Sequence, residues 1–122
     1  MRILIIEDEP IIALDLHDTL IEAGFAVVGV ANRLDQALEF IAESSFDAAI
    51  VDANLAGESA SPAALALAAR GLPFIVLSGY SLEQQLDGFA GSQFLQKPCR
   101  PAQLIQALKA IDPNPQHYGP PV

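Results

Sequence analysis

The amino-acid sequence predicts an α/β domain built on a parallel sheet. Short apolar segments alternate with segments of helical periodicity along the first 111 of the 122 residues. Only a few residues separate one segment from the next, and strands and helices that alternate in this way form parallel sheets with right-handed crossovers. A hydrophobic fraction of 52% and a charged fraction of 17% indicate a single domain with a sizeable core.

The first half of the chain contains three predicted strands and two predicted helices. The strands are short apolar runs at residues 3–6, 25–30 and 47–51. Continuous apolar runs are typical of strands that are covered on both faces. The first helix runs from Pro10, which suits a first turn, to about Ala23, with Gly24 as its stop. Asn32 is the expected cap of the second helix, whose apolar residues repeat at helical spacing up to Ile41.

The second half contains further alternating elements after a predicted loop at residues 53–60. The elements are a helix at 61–70, a strand at 74–77, a brief helix at 81–87, a strand at 93–95 and a helix at 101–111. Residues 112–122 hold four prolines without periodicity, so we interpret them as an irregular tail after a domain of residues 1–111. Five strand–helix units favour the doubly wound, flavodoxin-like (βα)5 fold with strand order 2-1-3-4-5.

Charge and cysteine content argue against several classes of protein. Fifteen acidic and six basic residues give a net charge of −9, which disfavours binding to nucleic acid or to an anionic membrane. No apolar run approaches the length of a membrane span. The single Cys99 fits a reducing compartment. We therefore expect a soluble cytoplasmic protein.

Polar residues follow four of the predicted strands, at the carboxyl ends where open α/β sheets bind their ligands. In chain order they are Glu7 and Asp8, Asp52, Ser78, and Lys97. Taken alone, Asp52 is better explained as a turn or cap residue, Ser78 as a turn residue and Lys97 as an exposed charge. In the predicted strand order, however, all four strand ends meet at one edge of the sheet with Asp52 in the middle. This joint placement favours a functional site.

Three carboxylates at one sheet edge predict a cation site. At a separation of about 4 Å and an effective dielectric near 20, each like-charged pair costs roughly 4 kcal/mol. Such a cluster therefore raises one pKa or binds a cation. Oxygen ligands favour Mg²⁺ or a similarly hard ion, and the backbone carbonyl of Asn54 is placed to complete the coordination. With a hydroxyl from Ser78 and an ammonium from Lys97 nearby, Asp52 is the expected nucleophile toward a phosphoryl group.

These residues resemble the motifs of the response-regulator receiver domains of two-component signalling. The matching segments are Ile-Glu-Asp-Glu-Pro at 6–10, Val-Asp-Ala-Asn-Leu at 51–55, Leu-Ser-Gly-Tyr at 77–80 and Lys-Pro at 97–98. The resemblance extends from Met1 to about Ile111. It implies that Asp52 accepts a phosphoryl group from a sensor histidine kinase or a phosphotransfer protein.

The same resemblance implies roles for the residues around the phosphoacceptor. The implied Mg²⁺ ligands are Glu7, Asp8, Asp52 and the backbone carbonyl of Asn54. Ser78 and Lys97 would contact the phosphate, and the peptide bond before Pro98 would be cis.

Two aromatic residues are candidates for the conformational switch that such domains carry. Phe94, three residues before Lys97, matches the position of the family's switching aromatic, and its alternative interpretation is a plain core residue. Tyr80 ends a segment at 73–80 that resembles a subgroup of stand-alone receivers. The resemblance implies that phosphorylation changes the face formed by the fourth helix, the fifth strand and the last helix, where a downstream protein binds.

The sequence thus favours a phosphorylation-controlled signalling switch, as a monomer or weak dimer. Such a switch is not a conventional enzyme, because it catalyses only its own phosphoryl transfer and slow autodephosphorylation. An excised receiver of a longer protein and a degenerate receiver that is never phosphorylated stay open. The alternative from another class is a Mg²⁺-dependent phosphohydrolase with an aspartyl-phosphate intermediate. Enzymes of that class commonly carry a second acid two residues after the nucleophile, where this chain has Asn54.

Overall fold

A computed structural model of the chain describes residues 1–79, 93–97 and 99–112. In chain order the elements are β1 (Arg2–Ile6), α1 (Pro10–Glu22), β2 (Ala26–Ala31), α2 (Leu34–Glu43), β3 (Ala48–Asp52), β4 (Asn54–Leu55), β5 (Glu58–Ser59), α3 (Ser61–Ala69), β6 (Phe74–Ser78), β7 (Gln93–Gln96) and α4 (Pro101–Ile111). The predicted brief helix at 81–87 and the predicted tail from residue 113 onward lie outside the described residues, as do Tyr80 and Pro98.

The main sheet has five strands in the order β2-β1-β3-β6-β7, and every neighbouring pair is parallel. Counted along the chain without the short β4–β5 pair, this is the order 2-1-3-4-5. The doubly wound flavodoxin-like fold is therefore confirmed. Strand β3 lies in the centre of the sheet, and all five of its residues are buried. The carboxyl end of β3 consequently lies at the middle of one sheet edge.

Two hydrophobic clusters cover the two faces of the sheet. Alternation along β1 sends Leu4 and Ile6 into one cluster and Ile3 and Ile5 into the other. Helices α2 and α3 complete the first cluster, and α1 and α4 complete the second. Each fully buried Leu or Ile side chain contributes about 1.5–3 kcal/mol to folding. The continuous apolar runs in the sequence reflect this burial on both sides.

Two sequence predictions about local structure are wrong. Asn32 does not cap the second helix, because α2 begins only at Leu34 and Arg33 occupies the cap position. Instead, the backbone N–H of Asn32 donates to Oε1 of Gln36 at 3.0 Å. Residues 53–60 are not an irregular loop, because β4 and β5 pair there as an antiparallel hairpin.

The helices that the structure describes are too short to span a membrane. The longest helix among the described residues, α1, has 13 residues, whereas a span needs about 20 apolar ones. Within residues 1–79, 93–97 and 99–112, no helix is long and apolar enough to cross a membrane.

Candidate functional site

The parallel register brings the predicted polar residues to one edge of the sheet. Asp52 is the last residue of β3 and Ser78 the last of β6, while Glu7 and Lys97 directly follow β1 and β7. Two backbone hydrogen bonds continue the ladder past the strand ends. The N–H of Ala53 donates to the carbonyl of Leu77 at 2.9 Å, and that of Lys97 donates to the carbonyl of Ser78 at 2.8 Å. The side chains after the strands are thereby held in neighbouring positions.

An ammonium and two carboxylates form the centre of the site. Nζ of Lys97 lies 3.2 Å from Oδ2 of Asp52 and 3.4 Å from Oε1 of Glu7. Glu7 is 1% exposed and Asp52 is 6% exposed, so both charges are largely shielded from water. One positive charge therefore faces two negative ones in a region of low effective dielectric.

Glu7 is the most perturbed acid of this group. Its pKa is raised to about 8, chiefly because burial disfavours the charged form. A hydrogen bond to Asp52, which only the protonated carboxyl can donate, and repulsion from the Asp52 charge raise the pKa further, while Lys97 lowers it. Oε2 of Glu7 is buried and has no hydrogen-bond partner among the described residues. The site thus holds more negative charge than Lys97 alone compensates.

The pKa of Lys97 is also raised in these surroundings, but for a different reason. Burial alone would lower the pKa of its ammonium group, but the charges of Asp52 and Glu7 outweigh that effect and the pKa is raised. Lys97 therefore remains protonated at neutral pH. It supplies a permanent positive charge next to the Asp52 carboxylate.

A third carboxylate completes a set that fits a hard divalent cation. Glu7, Asp8 and Asp52 each offer one oxygen, and these oxygens lie within 4.8 Å of one another. The partnerless oxygen of Glu7 is a buried acceptor that such an ion would satisfy. An all-oxygen set is the kind that Mg²⁺ and Ca²⁺ prefer. An adjoining cavity of about 370 Å³, lined by Glu7, Asp8 and residues of α1, keeps the cluster reachable.

The β4–β5 hairpin borders the cluster on one side. The backbone N–H of Asn54 donates to Oδ1 of Asp52 at 3.3 Å, and its side-chain Oδ1 accepts the N–H of Gly57 at 2.9 Å. The Asn54 side chain is therefore engaged in the hairpin turn, and the metal-binding role of its carbonyl stays a prediction. The backbone N–H of Ala56 donates to Oδ2 of Asp8 at 3.0 Å. Sequence reasoning missed this donor, because the two residues are 48 positions apart and no side-chain type marks a backbone N–H.

The remaining predicted residues differ in how far the structure locates them. Ser78 is buried at the end of β6, one residue beyond Leu77, which pairs with Asp52. Phe94 is half-buried in β7 and packs against the cluster formed with α2 and α3, so it takes part in the core. Its role as a switching aromatic stays a prediction. The predicted roles of Tyr80 and of a cis bond before Pro98 fall on residues outside the described ranges.

Comparison with known proteins assigns the chain to a family. The model of the response regulator receiver domain matches residues 3–109. The chain belongs to this family. A receiver domain is part of a two-component response regulator and acts as a phosphorylation-controlled signalling switch, and is not a conventional enzyme.

One relative is similar to this receiver domain in sequence, and another in sequence and structure. The transcriptional regulatory protein PdtaR of Mycobacterium tuberculosis is 30% identical over 112 residues, which cover 88% of this chain and 55% of PdtaR. The chain therefore spans about half the length of the curated relative that it matches. The solution structure of SdrG from Sphingomonas melonis Fr1 is 40% identical, with a TM-score of 0.78 over 90% of this chain and 94% of SdrG.

A further similar structure contains ligands. A response regulator protein from Burkholderia pseudomallei, crystallised with a phosphorylated aspartic acid, a calcium ion and citrate, is 26% identical to this receiver domain. Its TM-score is 0.77 over 88% of this chain and 65% of that chain.

Proposed function

We propose that Asp52 is the phosphoacceptor of this receiver domain and that a sensor histidine kinase or a phosphotransfer protein is the donor. The observation that carries the proposal is the position of the Asp52 carboxylate. It lies 3.2 Å from the Lys97 ammonium and within 4.8 Å of oxygens from Glu7 and Asp8. In the transfer, an Asp52 oxygen forms a bond to phosphorus while the bond from phosphorus to the donor's imidazole nitrogen breaks.

Mg²⁺ is the proposed cofactor. Glu7, Asp8, Asp52 and the backbone carbonyl of Asn54 would hold it. When bound, the ion offsets negative charge on the phosphoryl group. Lys97 would offset further charge, because its ammonium group already contacts Asp52. The phosphorylated aspartic acid and calcium ion in the Burkholderia pseudomallei relative support an aspartyl phosphate beside a divalent cation in this fold.

The proposed switch transmits the new charge along the sheet edge. Phosphorylation adds about two negative charges, which attract the Lys97 ammonium and accept a hydrogen bond from the Ser78 hydroxyl. The backbone of these two residues is already joined by the hydrogen bond from Lys97 to Ser78. Movement there would reach Phe94 and Tyr80. This movement would change the face formed by the predicted helix at 81–87, β7 and α4, to which a downstream protein binds.

The remaining proposals concern the domain boundaries, the location, the oligomeric state and the rate of autodephosphorylation. Residues 1–111 act as the receiver and residues 112–122 as a tail. The family match over residues 3–109 supports this division. The domain works in the cytoplasm as a monomer or weak dimer, without binding nucleic acid or membrane, and its acidic net charge of −9 supports that exclusion. Autodephosphorylation is slow, because Asn54, two residues after Asp52, carries an amide that cannot act as a general acid or base.

Intact mass spectrometry tests the phosphoacceptor. The protein is incubated with Mg²⁺ and acetyl phosphate or a phosphoramidate, and we expect a mass increase of one phosphoryl group. Asp52→Asn should abolish the increase, because the amide is not a nucleophile. Asp15→Asn, which makes the same charge change at an exposed position of α1, should retain it.

Two outcomes would contradict the proposal. A mass increase that survives Asp52→Asn would place the phosphate elsewhere, and no increase in the unmodified protein would indicate a receiver that is not phosphorylated. Rapid multiple-turnover hydrolysis of a phosphomonoester would instead favour the phosphohydrolase.

A further inference from the structure

The hairpin beside the acid cluster contains a strained residue. Leu55 pairs with Glu58 across a two-residue turn, in which Ala56 has a φ of 51° and Gly57 a φ of 89°. Positive φ at both central positions is the type I′ geometry that matches the twist of β-hairpins. Among the described residues other than glycine, Ala56 alone has a positive φ. Alanine is disfavoured in that region because its Cβ crowds the backbone, so the turn holds Ala56 against its own preference.

Neighbouring contacts hold this turn in place. Leu55 is 1% exposed and packs in the cluster with α2 and α3. The N–H of Ala60 donates to the carbonyl of Ala53 at 3.0 Å at the base of the hairpin, and Asn54 binds the N–H of Gly57. The backbone N–H of Ala56 is therefore presented at a defined position. It points at Oδ2 of Asp8, 3.0 Å away.

We infer that the backbone N–H of Ala56 is a positioning group that orients the Asp8 carboxylate for the cation. This inference rests on the proposed function. Asp8 follows β1 in a loop, and it is only half-buried, so its side chain needs a partner to remain aimed at the oxygens of Glu7 and Asp52. A backbone donor supplies that restraint without adding charge, and it also fills one acceptor position of the carboxylate. Outer partners of metal ligands typically change metal affinity by about 10- to 100-fold.

The restraint on Asp8 comes from the backbone of residue 56 and not from its side chain. Any residue except proline carries a backbone N–H, so the donor at position 56 does not depend on the type of side chain. The restraint acts through geometry, since Ala56 itself offers no ligand to the ion. Ala56 is accordingly a positioning residue and not a cation ligand.

An amide-to-ester replacement isolates the N–H from the side chain. Incorporating lactic acid at position 56 replaces the N–H by oxygen and retains the methyl group. We expect Mg²⁺ affinity, measured by calorimetric or NMR titration, to fall about tenfold. A matched ester at position 60 removes the hydrogen bond to Ala53 but leaves the contact with Asp8. It should change Mg²⁺ affinity less than twofold, and thermal unfolding without Mg²⁺ shows whether each ester protein is folded.

An NMR measurement separates positioning from a general effect on the hairpin. In the unmodified protein, the Ala56 amide proton should shift on addition of Mg²⁺ and saturate at the same concentration as the Asp52 amide. Three results would each overturn the inference. They are equal losses of Mg²⁺ affinity for the two esters, an unchanged Mg²⁺ affinity for the ester at position 56, and an Ala56 amide signal that does not shift on addition of Mg²⁺.

The proposed function can fail separately from this inference. If the unmodified protein binds no Mg²⁺ and accepts no phosphoryl group, the function assigned to the site is wrong and the inference falls with it. If the unmodified protein binds Mg²⁺ and is phosphorylated while the ester at position 56 has the same affinity, only the inference is wrong.

Discussion

At the scale of single residues, the site is governed by one excess negative charge. Lys97 contacts both Asp52 and Glu7, and one ammonium cannot neutralise two buried carboxylates. The pKa of Glu7 rises to about 8 chiefly because the residue is buried, and further because of the neighbouring Asp52 carboxylate. In the metal-free protein, Glu7 consequently retains its proton near neutral pH. A divalent cation that binds Glu7 as a carboxylate must displace that proton.

This proton makes the stability of the metal-free protein depend on pH. The pKa of Glu7 is about 8 in the folded chain against 4.5 ordinarily, so the folded state binds more protons than the unfolded state between these values. The free energy of unfolding should therefore fall as pH rises from 5 to 8, by up to about 1.4 kcal/mol per pH unit for one proton. Lys97, whose pKa is raised, stays charged throughout and does not oppose this trend.

Urea unfolding in the presence of a chelator at pH 5, 6.5 and 8 measures the effect. Glu7→Gln, which is neutral at every pH, should remove most of the slope, whereas Glu43→Gln at the exposed end of α2 should keep it. A stability that rises with pH over this range would contradict the assignment.

At the scale of secondary-structure elements, side chains from one element complete the backbone of another. Helix α2 ends at Glu43 with no basic residue in its last turn. Arg70, which follows α3, donates from Nη1 to the carbonyl of Ile41 and, at 3.2 Å, to that of Ser44. Its guanidinium also lies 5.8 Å from the centre of the Phe46 ring. Arg70 therefore caps α2 and joins it to α3 on the side of the sheet that supports the hairpin.

Removing this cap should destabilise the domain without altering the site. Arg70→Met keeps much of the side-chain volume but loses both hydrogen bonds and the cation–π contact, at a cost of about 1–2 kcal/mol. Arg33→Met is the matched control, because it breaks only an exposed ion pair with Asp35, and exposed ion pairs contribute little to stability. Chemical denaturation of the three proteins measures the difference, and equal stabilities for the two variants would refute the capping role.

At the scale of the whole molecule, the cation site joins segments that are distant along the chain. Glu7 and Asp8 follow β1, Asp52 ends β3, and Asp8 is tied to the hairpin at Ala56. A cation bound by these residues binds only the folded chain, because the unfolded chain does not hold the three carboxylates together. Ion binding is thus linked to folding of the entire sheet.

We therefore expect Mg²⁺ to raise the stability of the domain. At a free Mg²⁺ concentration of 100 times Kd, the free energy of unfolding should increase by about 2.7 kcal/mol, and a chelator should reverse the change. Asp8→Asn should abolish most of this increase, whereas Asp15→Asn should preserve it. Thermal unfolding with and without Mg²⁺ provides the measurement, and an equal response of the Asp8→Asn protein would rule out Asp8 as a ligand.

Much of the fold follows from local sequence signals. Apolar runs such as residues 48–51 mark strands buried on both faces, and Pro10 and Pro101 mark the first turns of α1 and α4. The capping prediction for Asn32 is wrong because α2 begins one residue later than capping propensity indicates, with Arg33 at the cap position and the N–H of Asn32 bound by Gln36. The hairpin at 54–59 escaped prediction because Ala56 adopts a positive φ that alanine disfavours.

For the site, the residues that follow the predicted strands indicate which side chains meet. Parallel strands in the order 2-1-3-4-5 place Glu7, Asp52 and Lys97 at one edge, since the carboxyl ends of neighbouring parallel strands lie side by side. How these residues interact is visible only in the folded chain: Lys97 contacts both Asp52 and Glu7, burial raises the pKa of Glu7, and the N–H of Ala56 donates to Asp8. Those properties depend on distances of a few ångströms and on exclusion of water by the packed chain, and no pattern of residue types encodes them locally.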